Sequence, residues 1–166
     1  MAFSRTGSAD ERTAPEYKVK AAFLFNFAVY AEWPPDALPR ADSPLVIGVL
    51  GRGDPFNGDI EAIVRDKRIG GHPIVVAHYP NVAALGACHV LFVCEDEWPE
   101  LDQIIQKAGS DTLTVADTEG FTDRGGLVRF FPENGKVHFE INLDGLRHSR
   151  LKLSSKLLKL AKIVHE

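Results

Sequence analysis

A long apolar stretch near the start of the chain carries the strongest helical pattern. Read at 100° per residue, residues 17–33 place one apolar set on a single side of a helix, next to Ala22 and Asn26. This set is Val19, Phe23, Phe27 and Tyr30. The apolar surface is widened by Leu24, Phe25 and Val29. Because the prolines at positions 34 and 35 cannot continue a helix, the pattern predicts a core helix over about residues 16–32.

Short, continuous apolar runs alternate with amphipathic segments through the middle of the chain. Such runs are typical of buried parallel strands, and they occupy residues 45–50, 74–78, 90–93 and 112–116. Helices are predicted between them over residues 56–65, 82–87 and 97–108. Asp54 is predicted to cap the first of these helices, with Pro55 at its first position. Strands that alternate with helices through short links predict a parallel sheet covered on both faces.

The pattern changes after residue 126. Two apolar runs, 127–131 and 136–143, are separated by a segment containing Asn134-Gly135, which is a strong hairpin signal. The alternation in the second run predicts a half-exposed edge strand that closes the sheet. Ser154 is predicted to cap a last helix that continues to about Val164.

Together these elements predict one α/β domain over residues 16–166. It has three layers, a mostly parallel sheet with an antiparallel C-terminal hairpin, and helices on both faces. The composition agrees, because 166 residues with 45% hydrophobic and 25% charged side chains suit one globular domain. The first fifteen residues lack a long apolar run and are expected to be a disordered lead-in.

Charge and cysteine content narrow the class of protein. A net charge of -4, without an arginine-rich run, argues against nucleic-acid binding as the main role. Cys88 and Cys94 flank a predicted strand, which separates their Cα atoms by roughly 20 Å at about 3.3 Å per residue. A disulfide needs less than about 7 Å, so we expect free thiols or an intersubunit bond.

Several candidate catalytic and metal motifs are incomplete. The glycines after the first strand match neither nucleotide-binding fingerprint. The acidic trio at residues 95–97 follows the third strand, where ligands often bind. The simpler explanation is that these carboxylates stabilise the positive N-terminal end of the following helix. His138 and Glu140 share one strand face without an identifiable third ligand. We therefore expect no catalytic set, metal or cofactor, and a hydrolase that uses His138 or the acidic trio is the weakest alternative.

A basic cluster precedes the last predicted helix. It consists of Arg147, His148, Arg150 and Lys152, followed by Ser154-Ser155. Cations beside a helix N-terminus suit an anionic ligand or an acidic partner, although solvated surface charge is the simpler explanation.

Three motifs in order resemble the YfiR family of periplasmic proteins. They are VKAAFLFNFAVYAEWP near the start, GVLGRGDPF in the middle, and FEINLDGLRHSRLKLSSKLLKLAKIV at the end. The resemblance implies a regulator that holds an inner-membrane diguanylate cyclase inactive through its periplasmic portion. It further implies an outer-membrane lipoprotein that sequesters the regulator under envelope stress, and a rise in cyclic di-GMP and biofilm formation on release.

The resemblance also sets expectations for this chain's own residues. It implies a periplasmic location with the secretion signal already removed, a homodimer, and a small-molecule pocket near the basic cluster. Arg150, Lys152 and Ser154 are the residues we expect to contact a ligand or partner. Redox-responsive disulfide pairs of the family need more cysteines than the two present here. A periplasmic ligand sensor without a cyclase partner is the main alternative.

Overall fold

The computed structural model describes the backbone of residues 2–166 and the side chains from residue 14 onward. The helices are α1 (Ala2–Tyr30), α2 (Asp59–Val64), α3 (Leu101–Ala108), α4 (Leu143–His148) and α5 (Ser155–Leu160). The strands are β1 (Ala31–Glu32), β2 (Leu45–Leu50), β3 (Arg68–Ile69), β4 (His72–Tyr79), β5 (Val90–Val93), β6 (Leu113–Ala116), β7 (Val128–Glu133), β8 (Lys136–Asn142), β9 (Lys152–Leu153) and β10 (Lys162–Val164). None of the described helices is long and apolar enough to cross a membrane. The sequence pattern placed the start of α1 near residue 16, after a disordered lead-in over residues 1–15. In the structure the backbone of residues 2–15 is part of α1, and the side chains of residues 1–13 lie outside the description.

Eight strands form one sheet in the order β10-β8-β7-β6-β5-β2-β4-β3. The central strands from β4 to β7 run parallel, whereas β7 and β8 form an antiparallel hairpin. Asn134 and Gly135 both adopt positive φ in its turn, as a tight two-residue hairpin requires. β1 and β9 form a separate antiparallel ribbon. The predicted α/β fold, mostly parallel with an antiparallel hairpin, is confirmed.

Two hydrophobic clusters cover the two faces of the sheet. Successive residues of β5 alternate between them, because Val90 and Phe92 belong to the larger cluster and Leu91 and Val93 to the smaller. The larger cluster includes side chains of α1, α2 and α5, and the smaller one those of α3. This arrangement gives the predicted three layers.

Helix α1 buries a different face from the predicted one. Its buried residues are Lys20, Ala21, Leu24, Phe27 and Ala28, whereas Val19 and Tyr30 are 45% and 39% exposed. Of the predicted set, only Phe27 is fully buried. The apolar residues surround the helix too broadly for periodicity to select one face. The helix also ends at Tyr30, because Ala31 and Glu32 pair with β9.

Helix α2 begins three residues later than the sequence pattern suggested. Asp54 does not cap it: its carboxylate accepts the backbone N–H groups of Phe56 and Gly58 at 2.9 and 3.0 Å and closes a turn. Asn57 and Gly58 then take left-handed conformations, with φ of 52° and 86°. A right-handed helix cannot pass through them, so it starts at Asp59.

Two further predicted helices are shorter than expected. The segment 82–87 forms only a 3-10 turn over Val82–Ala84. Residues Glu95–Glu100 also form a 3-10 helix, and the α-helical part begins at Leu101. Pro99 lies in that segment and has no N–H to donate to the carbonyl four residues earlier, which disfavours an α-helix there.

Strand β8 is not the edge strand that the sequence pattern predicted. The last helix, α5, begins after Ser154 as predicted but ends at Leu160, and the following β10 pairs with β8 in parallel. β8 is therefore an internal strand. Its supposedly exposed face buries Glu140 and Asn142, which are 7% and 6% exposed.

A buried histidine makes the fold sensitive to pH. His89 Nδ1 accepts the N–H of Val46 at 2.9 Å, and its Nε2 lies 2.9 Å from the carbonyl of Ala37. Burial is the main cause that lowers the pKa of His89 below its usual value of 6.5. The unfolded chain then binds a proton more readily than the folded one, so acidification favours unfolding.

We therefore expect the free energy of unfolding to fall as the pH drops below 6.5 toward the folded-state pKa of His89. Urea denaturation at several pH values from 7.5 to 5 measures this loss. His89→Gln should flatten the pH dependence in this window. An equally steep decline in that variant would contradict the assignment to His89.

Candidate partner and ligand surface

The three residues predicted from sequence lie in one short segment between α4 and α5. Here β9 pairs with β1, so that Lys152 lies opposite Glu32 and Leu153 opposite Ala31. The ribbon therefore joins the predicted segment to the end of α1. Nothing in these contacts tests binding, and the roles of the three residues remain predictions.

Arg150 is engaged with two carboxylates. Its Nη2 lies 2.7 Å from Asp36, and its Nη1 lies 3.1 Å from Asp111. The hydrogen bond from Arg150 lowers the pKa of the Asp36 carboxyl. Arg150 thus links the turn after β1 to the loop before β6, and an acidic partner would have to compete with these two carboxylates.

Ser154 has a structural role at the start of α5. Its hydroxyl accepts the N–H of Leu157 at 3.4 Å, as a helix cap does. Its own N–H donates to the carbonyl of Tyr30 at 2.9 Å. The predicted cap is confirmed, and the hydroxyl that was offered to a ligand is already used within the helix.

Of the three residues predicted from the sequence, Lys152 is the exposed cation that is best placed to contact a partner. It lies on the β1–β9 ribbon beside the end of α1, where large apolar side chains are also exposed. Three of the five large exposed hydrophobic residues of the described side chains are on α1: Val19, Val29 and Tyr30. We call Val29, Tyr30, Lys152 and Ser154 the ribbon surface.

Sequence reasoning missed the apolar half of the ribbon surface. It assigned Tyr30 to the core, because the residue has the right spacing from Phe23 and Phe27. A signal was available: the stretch 17–33 holds more large apolar residues than one buried face can accommodate. Some of them had to remain exposed.

A cavity of about 470 Å³ lies next to the Arg150 ion pairs. Both carboxylates bound by Arg150, those of Asp36 and Asp111, line it, together with Lys107 and the segment 85–89. The Lys107 ammonium is bound to the carbonyls of Val82 and Ala83 at 2.9 and 3.4 Å. The cavity has the volume of a small-molecule site, but no residue of the basic cluster lines it, and the expected ligand pocket stays a prediction.

The two cysteines are free, at opposite ends of β5. Burial raises the pKa of each thiol to about 12. Both are therefore protonated at neutral pH and react slowly, because the thiolate is the nucleophile.

His138 and Glu140, which share one strand face in the sequence pattern, contact different groups in the structure. Glu140 accepts hydrogen bonds from Arg129 at 2.7 Å and Thr122 at 2.9 Å, and it serves as a buried structural carboxylate. The ring of His138 stacks on Phe131 with a centroid distance of 5.8 Å. The two side chains thus face different partners.

These observations describe an α/β domain whose candidate site is an interaction surface with a neighbouring cavity. The chain belongs to the YfiR/HmsC-like family, whose model matches residues 17–162. The resemblance seen in the sequence is confirmed. No curated protein matches the chain in a sequence search. Proteins of this family are periplasmic regulators in the context of cyclic di-GMP signalling.

Proposed function

We propose that this protein binds the periplasmic part of an inner-membrane diguanylate cyclase and inhibits it. Binding would lower cyclic di-GMP and restrain biofilm formation. The observation that carries the proposal is the family match, which extends over nearly the whole described domain. The exposed apolar side chains of α1 support it, because a binding protein needs such a surface.

The ribbon surface has the composition of a small protein interface. Tyr30 offers an amphipathic aromatic ring, and Val29 adds apolar area beside it. Lys152 provides a cation at the margin, where charge selects an acidic partner and speeds association. A homodimer and an outer-membrane lipoprotein that competes for the regulator are further parts of the proposal.

Charge reversal at Lys152 tests whether the ribbon surface contacts the cyclase. We expect Lys152→Glu to weaken binding about tenfold, since attraction at the margin becomes repulsion. Calorimetric titration with the cyclase segment measures the change. Lys136→Glu is the matched control, because Lys136 is exposed on the distant β7–β8 hairpin.

If the Lys152→Glu variant and the Lys136→Glu control bind the cyclase segment equally tightly, Lys152 does not contact the cyclase. Arg150→Glu is less informative, because it would also break the ion pairs with Asp36 and Asp111. A variant with Lys152 alone changed separates binding from folding.

The cavity beside Arg150 favours a second candidate function, that of a periplasmic ligand sensor. Its volume suits a small molecule, and the loops that Arg150 joins form part of its wall. Mass spectrometry of the purified protein under native conditions would detect a retained ligand. A ligand that raises the melting temperature without affecting cyclase binding would favour the sensor function.

A further inference from the structure

Three metal-ligating side chains meet at the carboxyl edge of the sheet. Asp54 lies in the turn after β2, Glu61 is on α2, and His78 is near the end of β4. One donor atom from each lies within 4.8 Å of the other two. The closest pair is His78 Nε2 and Glu61 Oε2, at 3.0 Å. Three separate elements thus bring a nitrogen and two carboxylate donors together.

Glu61 has an oxygen that no described protein group satisfies. Its Oε1 is shielded from solvent, although the side chain as a whole is 44% exposed, and it accepts no hydrogen bond from any described residue. A shielded carboxylate oxygen without a donor is unfavourable, and a bound cation would relieve that cost. This orphaned oxygen belongs to the same residue that already contacts His78.

Asp54 is held in place by the backbone. Its two carboxylate oxygens each accept one N–H, from Phe56 and from Gly58. Each oxygen keeps lone-pair capacity for a cation. Hydrogen bonds of this kind orient a ligating carboxylate, and they mean that Asp54 needs little reorganisation to bind a metal.

The surrounding edge of the sheet also favours a cation. A second group of carboxylates follows β5, where Glu95, Asp96 and Glu97 occupy the first turn of the 3-10 helix. Asp54 and Asp96 line the same cavity of about 380 Å³. Negative charge that converges at one edge raises the local concentration of cations.

We infer that Asp54, Glu61 and His78 bind one first-row divalent cation of the Zn²⁺ type, with water completing the coordination. The imidazole nitrogen favours such ions over Mg²⁺ and Ca²⁺, which prefer oxygen ligands. Metal–ligand distances of about 2.0–2.2 Å require the donors to approach by about an ångström at most. The partly exposed side chains of Glu61 and His78 can make this adjustment.

Zinc titration of the untagged, chelator-treated 166-residue chain tests this site. We expect calorimetry to show one Zn²⁺ per chain with micromolar affinity. His78→Ala and Glu61→Gln should each weaken binding at least about tenfold, since loss of even an outer-shell partner has effects of this size. A large excess of Mg²⁺ should not displace the zinc.

His148→Ala is the matched control. His148 is also an exposed histidine beside a carboxylate, with Nδ1 3.5 Å from Asp144, but it does not belong to the three-residue group. Its loss should leave zinc binding unchanged. The inference is overturned if the unmodified chain binds no zinc, if His78→Ala binds it as tightly, or if Mg²⁺ competes equally. The titration requires no cyclase, so its failure would leave the proposed function untouched.

Discussion

Replacing Phe27 with alanine is expected to lower the free energy of unfolding by about 3–5 kcal/mol, because a large buried ring is lost from the core. Phe27 is fully buried. Its ring lies 5.1 Å from that of Phe139 and 5.8 Å from that of Phe130, between centroids. The substitution would therefore leave a cavity between α1 and the β7–β8 hairpin. Urea denaturation measures the loss.

Phe25→Ala is the matched control on the same helix. Phe25 is only partly buried and lies beneath the ammonium of Lys67, 4.9 Å from the ring centroid. Its removal should cost less than half as much, because less area leaves contact with the protein. Equal losses at both positions would contradict the buried face that the structure assigns to α1.

The second large effect is expected at Lys20, a buried cation in α1. Its ammonium lies 2.8 Å from Asp117 and 3.1 Å from Glu16, and Asp117 also accepts the hydroxyl of Tyr17 at 2.7 Å. Lys20→Met keeps the length of the side chain but leaves Asp117 without its cation. Breaking a buried pair by removing one partner costs about 3–5 kcal/mol, so we expect a loss near the lower end of that range.

Lys18→Met controls for helix propensity and general charge, since Lys18 is exposed on the same helix. We expect a change within about 0.5 kcal/mol there. The double variant Lys20→Met with Asp117→Asn should lose less than the sum of the single changes, because the two groups interact directly. Additive losses would show that the pair contributes little.

The parallel part of the sheet could be predicted because its strands are continuous apolar runs. The runs 45–50 and 90–93 have the same bounds in the structure as in the sequence pattern. A strand buried on both faces needs mostly apolar residues along its whole length, so a short apolar run indicates it directly. The hairpin at Asn134-Gly135 was equally readable, because few residue pairs suit that turn.

The orientation of α1 and the end of α5 depended on contacts distant in the sequence. The pairing of Lys20 with Asp117 spans 97 positions, and no local pattern indicates it. The sequence of β10 has the pattern of a continuing helix, and the segment forms a strand because it pairs with β8. Tertiary contacts override local preference most easily in such short segments.

The candidate surface could be predicted only in part. The basic residues were visible as a cluster, but their partners were not: Asp36 and Asp111 lie 114 and 39 positions from Arg150. The exposure of Tyr30 could not be predicted either, because its spacing from other apolar residues of the helix is that of a buried residue. Lys152 is therefore the residue on which the proposed contact mainly depends.

The most direct test of the account is to mix the purified domain with the periplasmic segment of a diguanylate cyclase from the same organism. Calorimetry and size-exclusion chromatography would follow the complex. The account predicts saturable binding at micromolar affinity or better, and elution of both chains in one peak. Separate elution without heat of binding, with both proteins shown to be folded, would contradict it.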